Sequence, residues 1–378
     1  MKAVTYQGVK NVKVKEVPDP KIEKPDDMIV KLTSTAICGS DLHLIHGMIP
    51  NLSKDYVIGH EPMGIVEEVG PGVTKLKKGD RVIIPFNVAC GECFYCTHNL
   101  ESQCDRANPY EDTGGFFGYS HTTGGYAGGQ AEYLRVPFAN FTSFRLPDDC
   151  ELEDERLCLI ADAMSTAYWT ADNAGIREGD TVIVLGCGPV GLLTQKFAWL
   201  KGAKRVIALD YVDYRLEHAK RTNKVETINI ETQQDTGAYL NEITQGGADV
   251  VCDCVGMDGK MTPAEKIESA LKLQGGSLGA IEIATEAVRR GGTIQITGVY
   301  GMRYNGFPLG HIMNRNVNLR TGQAPVIHYM PYLYDLIAKG KVDPGDVITH
   351  KLPLDQAEHG YKIFDGKEDG CIKVILKP

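Results

Sequence analysis

The sequence predicts an α/β protein in two parts: a β-rich N-terminal part, then a doubly wound parallel sheet. Two observations carry this. The first 150 residues hold alternating or β-branched runs cut by Gly and Pro turns. From about Leu152, short and nearly continuous apolar runs alternate with helix-like stretches, the mark of a parallel sheet covered on both faces. A chain of 378 residues has room for two or three domains and ample core.

The N-terminal strands are read at Ile29–Ala36, Gly64–Val69 and Arg81–Ile84. Residues 105–130 are rich in Gly and aromatics and read as a long irregular loop. The second part begins with a strand, Thr181–Leu185, and a helix, Val190–Leu200. A strand Val206–Leu209, a helix Asp213–Arg221 and a strand Val225–Ile230 follow. Further strands are read at Val250–Cys254, Thr293–Thr297 and Val317–Leu319. Six such strands match a doubly wound dinucleotide-binding domain. The tail has helix-like stretches at Tyr329–Ala338 and Leu354–Phe364 and a last strand, Cys371–Leu376. It could complete either part. Residues 257–290 exceed what one crossover helix needs by about 15 residues. Two readings stand: an insertion near the carboxyl ends of the strands, where ligands bind, or a surface embellishment.

The net charge is −9 with no dense basic cluster, which argues against nucleic acid and acidic membrane surfaces as partners. No apolar run approaches the ~20 residues of a membrane span. The chain starts Met-Lys-Ala-Val without an apolar leader, and its 11 cysteines then indicate a reducing cytoplasm.

Four of those cysteines, Cys90, Cys93, Cys96 and Cys104, fall within 15 residues at spacing C-x2-C-x2-C-x7-C. Thiolates at turn spacing can wrap one tetrahedral zinc. A disulfide pair would want an oxidising compartment, and the last gap is not the ferredoxin spacing. The expectation is a closed structural zinc site, which does no chemistry itself.

Gly186-Cys187-Gly188-Pro189-Val190-Gly191 directly follows the strand TVIVL and opens a helix. The first glycine makes the tight turn, the second lets a pyrophosphate approach, and the third lets helix and strand pack closely. Pro189 and Val190 start the helix, whose free N–H groups face the anion. Asp210 ends the strand RVIALD, 19 residues after Gly191, the distance expected for a grip on the adenosine ribose. A carboxylate there repels a 2′-phosphate, so NAD is favoured over NADP. A helix N-cap is the other reading of Asp210. Arg215 is either a ribose contact or a solvated surface arginine.

Cys38 opens Cys-Gly-Ser-Asp-Leu-His, and His60 lies in Gly59-His60-Glu61-Pro62. A thiolate and an imidazole from separate segments can form a zinc site, though neither is specific alone. Beside a nicotinamide-type fold the pair gains meaning. Oxidising an alcohol near pH 7 calls for a hydroxyl that gives up its proton, and a zinc with an open position promotes this.

With these motifs, the chain resembles the zinc-dependent medium-chain alcohol dehydrogenases over nearly its whole length. The carrying residues are Cys38, Ser40, Asp41 and His43, Gly59-His60-Glu61, the four-cysteine run, and the glycine fingerprint with Asp210. The resemblance implies a GroES-like β-barrel catalytic domain with a structural-zinc lobe (1–155) and a Rossmann NAD-binding domain (156–322) with its insertion near 257–290. A C-terminal segment (323–378) then completes the catalytic domain, and the active site lies in the cleft between the domains. It also implies two zincs per chain, NAD, and a homo-oligomer, dimer or tetramer.

Carried over by motif, Cys38 and His60 hold the catalytic zinc, with the third ligand at Asp162. Many relatives have cysteine there. The aspartate resembles the glutathione-independent formaldehyde dehydrogenase branch, as do the Gly-rich segment and the surplus in 257–290. A helix N-terminal carboxylate is the bland reading of Asp162. Glu61 is an alternate ligand or outer group, or else an ordinary ion pair. Ser40 and His43 would carry the substrate proton away. Taken apart from the motif they read as a turn serine and a surface histidine. Val299 and Arg320 are counted among the cofactor contacts, Arg320 having a domain-interface ion pair as its alternative. The implied activity is hydride transfer from a small alcohol or aldehyde hydrate, formaldehyde favoured, to NAD, with dismutation if NAD stays bound. The alternatives are oxidation of short alcohols, polyols or threonine-like amino-alcohols, or a non-catalytic NAD- and zinc-binding relative.

Overall fold

The structure, a computed structural model, describes residues 1–259, 276–301 and 304–378. The chain begins with a hairpin, β1 (Lys2–Gly8) and β2 (Asn11–Glu16). The next strand, β3 (Met28–Ile37), is buried along nearly its whole length. Its small and apolar residues suit a strand with neighbours on both edges, and within it only Lys31 is exposed. It pairs antiparallel with β4 (Met63–Val69), which pairs with β5 (Arg81–Ile83). A short helix, α1 (Gly39–Ile45), leaves the end of β3. Two-residue strands β6 (Asn87–Val88) and β7 (Gly115–Phe116) pair with each other and flank the cysteine lobe, which contains helix α2 (Phe94–Thr97). Strand β8 (Tyr133–Val136) adds to β3, and β9 (Phe144–Arg145) adds to β5. Helix α3 (Asp154–Cys158), a 3-10 turn Leu159–Ala161 and helix α4 (Ala163–Asn173) follow.

The second unit holds β10 (Thr181–Leu185), helix α5 (Pro189–Leu200), β11 (Arg205–Asp210), helix α6 (Asp213–Asn223) and β12 (Glu226–Asn229). Then come β13 (Ala248–Asp253), β14 (Val288–Ile296) and β15 (Asn318–Thr321). Among the described residues these strands make one parallel sheet in the order β12-β11-β10-β13-β14-β15. That is the doubly wound dinucleotide order. Its apolar strands and the helix Gly279–Ala287 share one buried cluster that includes Ile183, Ile207, Val251, Ile281 and Ile294. Strand β14 starts earlier than its apolar run predicts. Val288 pairs with Ala248, and the register then shifts across Arg289–Gly292 before Thr293 pairs with Val250. Part of the surplus in 257–290, residues 260–275, lies outside the described residues.

The tail supplies β16 (Ile348–Pro353) and β17 (Lys373–Lys377), and β17 pairs antiparallel with β3. One unit is therefore Met1–Ser165 with Ala324–Pro378, and the other is Thr166–Gln323. Residues 156–165, expected in the second unit, belong to the first, where Phe86 N–H donates to Ala161 C=O at 3.1 Å. Among the described residues no helix is long and apolar enough to cross a membrane.

Candidate functional site

The four lobe cysteines converge from a loop, helix α2 and a 3-10 turn. Their sulfurs stand 3.5 Å (Cys93–Cys96), 3.9 Å (Cys93–Cys104) and 3.9 Å (Cys90–Cys96) apart. A tetrahedral zinc with Zn–S near 2.3 Å needs sulfur–sulfur edges of about 3.8 Å. A disulfide would need about 2.05 Å. Backbone N–H groups of Cys90, Glu92 and Cys93 each point at a lobe sulfur at 3.4 Å, which favours thiolates. These residues fit a closed, structural zinc site.

A second group forms from Cys38, His60, Glu61 and Asp162, each offering a ligand atom within 4.8 Å of the others, all of them buried. Cys38 is the residue before α1, His60 and Glu61 precede β4, and Asp162 lies between the 3-10 turn and α4. The Asp162 Oδ2 atom is 3.4 Å from both Cys38 Sγ and His60 Nε2. Zinc bonds near 2.0–2.3 Å on a tetrahedron give edges of about 3.3–3.5 Å, so a thiolate, an imidazole and a carboxylate fit one zinc here. Asp162 stands at a helix start, and its carboxylate enters the cluster.

Asp41, to which the sequence assigned no role, organises this cluster. Its Oδ2 accepts from Cys38 N–H at 3.0 Å and from Gln130 Nε2 at 3.1 Å. Its Oδ1 lies 3.0 Å from His60 Nδ1. A carboxylate on the far ring nitrogen fixes the tautomer that leaves Nε2 free for a metal. Gln130 is held in turn by Tyr361 Oη at 2.8 Å. The signal for Asp41 was its place three residues after the helix-capping Cys38, a capping-box spacing with cysteine at the cap.

Burial pushes the Cys38 thiol up to about 11, and the charges of Asp162 and Glu61 add to this. A divalent cation reverses that logic and deprotonates a coordinating thiol. Burial opposes charge on His60, yet Asp41 and Asp162 raise its affinity for a proton well above the ordinary value. Burial raises Glu61 to about 7 against the pull of Lys373. The Lys373 Nζ atom lies 2.5 Å from Glu61 Oε2, and both side chains are 0% exposed. Ser40 Oγ lies 3.9 Å from Cys38 Sγ, and His43 is 4% exposed, so it is no surface histidine. His46 pairs with Asp365 at 3.0 Å. Phe86 and Tyr119 each stand edge-on to the His60 ring at 6.3 Å, with Phe116 packed on both.

In the other unit, Gly186 has φ +92°, and a Cβ on Gly191 would lie 1.9 Å from Gly186 C=O, so both positions require glycine. A Cβ on Gly188 would meet only Arg215 Nη1, at 3.9 Å. Space is therefore open where Gly188 begins α5, with Pro189 in its first turn, and a phosphate fits there. The Asp210 Oδ2 atom accepts from Cys187 N–H at 2.7 Å, and Oδ1 accepts from Tyr211 and Val212 N–H at 2.7 and 3.0 Å. It thus ties the glycine loop to the start of α6. The buried Nε of Arg215 lacks a hydrogen-bond partner among the described residues. Arg320 donates to the Asn173 carbonyl at the end of α4. Val299 C=O accepts from Met257 N–H at 2.9 Å, a backbone contact with no dependence on its side chain.

A four-cysteine lobe and a Cys-His-Asp cluster in one unit, with a doubly wound sheet and glycine loop in the other, define a zinc-binding dehydrogenase. Residues 24–148 match the pattern described as alcohol dehydrogenase GroES-like domain, and residues 189–269 match zinc-binding dehydrogenase. The chain is 73% identical over 378 residues to the uncharacterized zinc-type alcohol dehydrogenase-like protein AdhB of Bacillus subtilis, covering 100% of both. It is 33% identical over 385 residues to a glutathione-independent formaldehyde dehydrogenase of Pseudomonas aeruginosa, covering 96% of this chain and 94% of that one. Among solved structures, alcohol dehydrogenase TADH from Thermus sp. ATN1 matches with a TM-score of 0.85 at 36% identity, covering 100% of this chain and 99% of that one. The chain belongs to the zinc-dependent medium-chain alcohol dehydrogenase family, and it is an oxidoreductase of that type.

Proposed function

We propose that the protein oxidises a small alcohol or aldehyde hydrate, formaldehyde foremost, with NAD as hydride acceptor. The observation that carries this is the buried Cys38–His60–Asp162 cluster with Ser40 beside it. Two zincs per chain are assigned, one to this cluster and one to the lobe.

When held by Cys38, His60 and Asp162, zinc supplies Lewis acidity that makes a substrate hydroxyl acidic near neutral pH. The remaining work falls to the chain. Ser40 takes up the hydroxyl proton. His43, three residues on and on the same face of α1, passes it toward solvent. Phe86, Phe116 and Tyr119 form an aromatic wall that excludes water and favours a small substrate. The glycine loop, with Gly188 at the start of α5, holds the NAD pyrophosphate, and Asp210 beside it disfavours a 2′-phosphate. Arg215 stands close enough to Gly188 to contribute to nucleotide binding.

An alcohol R–CH2OH loses a hydride to NAD⁺ and a proton to the relay, giving aldehyde and NADH. For formaldehyde the reactive species is its hydrate, and the products are formic acid, NADH and a proton. If NADH then reduces a second aldehyde, the sum is dismutation to acid and alcohol. The aspartate at 162 and the relatives named for formaldehyde support the aldehyde-hydrate substrate. An absorbance screen for NADH with formaldehyde, short alcohols, polyols and threonine, without glutathione, tests the reading. Turnover with formaldehyde is expected. No turnover with any of these, in zinc-replete protein, overturns it.

A further inference from the structure

Asp253 is a buried carboxylate with no part in the chemistry above. It ends β13 and is 0% exposed. Val255 and Gly256 N–H donate to its Oδ1 at 2.8 and 3.1 Å, and Tyr300 Oη donates to its Oδ2 at 2.7 Å. Burial raises its affinity for a proton, and these three neutral donors oppose that. A buried carboxylate served by neutral donors depends on each of them. Tyr300 comes from the segment after β14, so its bond joins two strand-end loops, 254–257 and 297–300. Those loops also touch backbone to backbone. Met257 N–H donates to Val299 C=O at 2.9 Å, and Thr297 and Gly298 N–H donate to Asp253 C=O, each at 2.9 Å. Gly256 has φ +67°, and a Cβ there would lie 2.5 Å from the Val299 carbonyl oxygen. Just beyond, Gly301 N–H donates to Tyr304 Oη at 3.1 Å, and the Tyr300 and Tyr304 rings meet edge-on at 5.3 Å.

The sheet order shows what these loops flank. Strand β10 lies between β11 and β13, where the winding reverses and such sheets take a dinucleotide. Asp210 at the end of β11 and the glycine loop after β10 account for the adenosine and the pyrophosphate. The other half of NAD is left to the loops after β13 and β14. The first of these reaches the glycine loop itself: a Cβ on Gly186 would lie 3.1 Å from Val255 Cγ2 and 3.2 Å from the Cys254 carbonyl oxygen. We propose that Tyr300 is a positioning residue for the nicotinamide half of NAD: its hydrogen bond to Asp253 holds loops 254–257 and 297–300 in the arrangement that receives that half. Without the phenol hydroxyl, Asp253 Oδ2 loses that donor in a dry place, and the ligand has to order the loops itself. Only a ligand that touches them meets this penalty. The inference rests on NAD as the bound cofactor.

The test titrates zinc-replete, full-length protein by calorimetry with NAD and, separately, with ADP. ADP carries the adenosine and both phosphates but no nicotinamide. Wild-type protein should bind both. Tyr300→Phe should weaken NAD binding about tenfold and leave the ADP dissociation constant within about twofold of wild type. Hydrogen exchange on the wild-type protein gives a second reading that needs no variant to fold. NAD should slow exchange of the amides in 254–257 and 297–301, and ADP should not. Equal weakening of NAD and ADP in Y300F, or no change in either, overturns the inference. Protection of those amides by ADP as much as by NAD, or by neither, also overturns it. Wild-type protein that takes NADP but not NAD, or neither, overturns the cofactor reading instead, and does so before any variant is compared.

Discussion

Asp41 fills two roles with one carboxylate. One oxygen holds the Cys38 backbone N–H, and the other faces His60 Nδ1. Losing the negative charge while keeping the shape should therefore weaken metal binding more than folding. Asp41→Asn should lower zinc affinity at the second site by about 10–100-fold, read by competition with a coloured chelator, while the lobe zinc stays in place. Unchanged affinity would mean that Asp41 only caps α1. At this scale the sequence was uneven. Cys38, His60 and Asp162, which the structure gathers into one cluster, could be singled out because thiol, imidazole and carboxylate are chemically distinctive and the resemblance to the family placed them. Lys373 was not, because a lysine in Ile-Lys-Val-Ile-Leu reads as a solvent-facing position until its partner is known.

Among the elements, the parallel strands were the most legible. Thr181–Leu185 agrees with its apolar run, because a strand covered on both faces has no polar positions to blur it. Helix α1 was missed because its buried residues include Asp41 and His43, which give no apolar stripe. Strands β6 and β7, two residues each, carry too little pattern to read.

The glycine loop separates two roles within one motif. Gly191→Ala forces a Cβ into the Gly186 carbonyl and should destabilise the protein and abolish nucleotide binding. Gly188→Ala has room in the free protein, so its stability should stay within about 1 kcal/mol of wild type, while NAD affinity falls. Thermal melts beside NAD titrations check both. Equal loss of stability in the two variants would contradict the assignment.

The cysteine lobe holds a pH-dependent element of its own. Glu101 is 3% exposed, and its Oε2 has no hydrogen-bond partner among the described residues. Burial raises it to about 7. A carboxyl raised in the fold binds its proton more tightly folded than unfolded. Its stabilising contribution is therefore complete below the ordinary carboxylate range and is lost as pH rises through about 7. Glu101→Gln should be more stable than wild type at pH 8 by about 1–3 kcal/mol, with the gap closing below about pH 4.5. Urea unfolding across that range measures it, and a gap constant with pH would refute the assignment.

At the level of the whole molecule, both candidate metal sites belong to the unit formed by Met1–Ser165 and Ala324–Pro378. The two metals should separate by function. Cys93→Ser should lose one zinc and lower the Tm by about 5–10 °C, since lobe folding and zinc binding are coupled. Asp162→Ala should lose the other zinc and nearly all activity with a far smaller change in Tm. Metal analysis with melting curves decides this. Full stability but no hydride transfer in Cys93→Ser would reverse the division of roles.

By itself the sequence determined the α/β class, the glycine loop and the four-cysteine run, and it singled out Cys38, His60 and Asp162, whose side chains the structure brings together. These are local signals: a period, a spacing, or a donor whose chemistry is hard to explain by packing. The strand pattern alone left open which unit the tail completes, because an apolar strand can pair with any exposed edge; the family resemblance pointed to the catalytic unit, and the pairing of β17 with β3 supplies the physical link. Only the tertiary structure brought Asp41 behind His60 and Lys373 against Glu61. A buried charge is intelligible only through its partner, and here the partner lies some three hundred residues away along the chain.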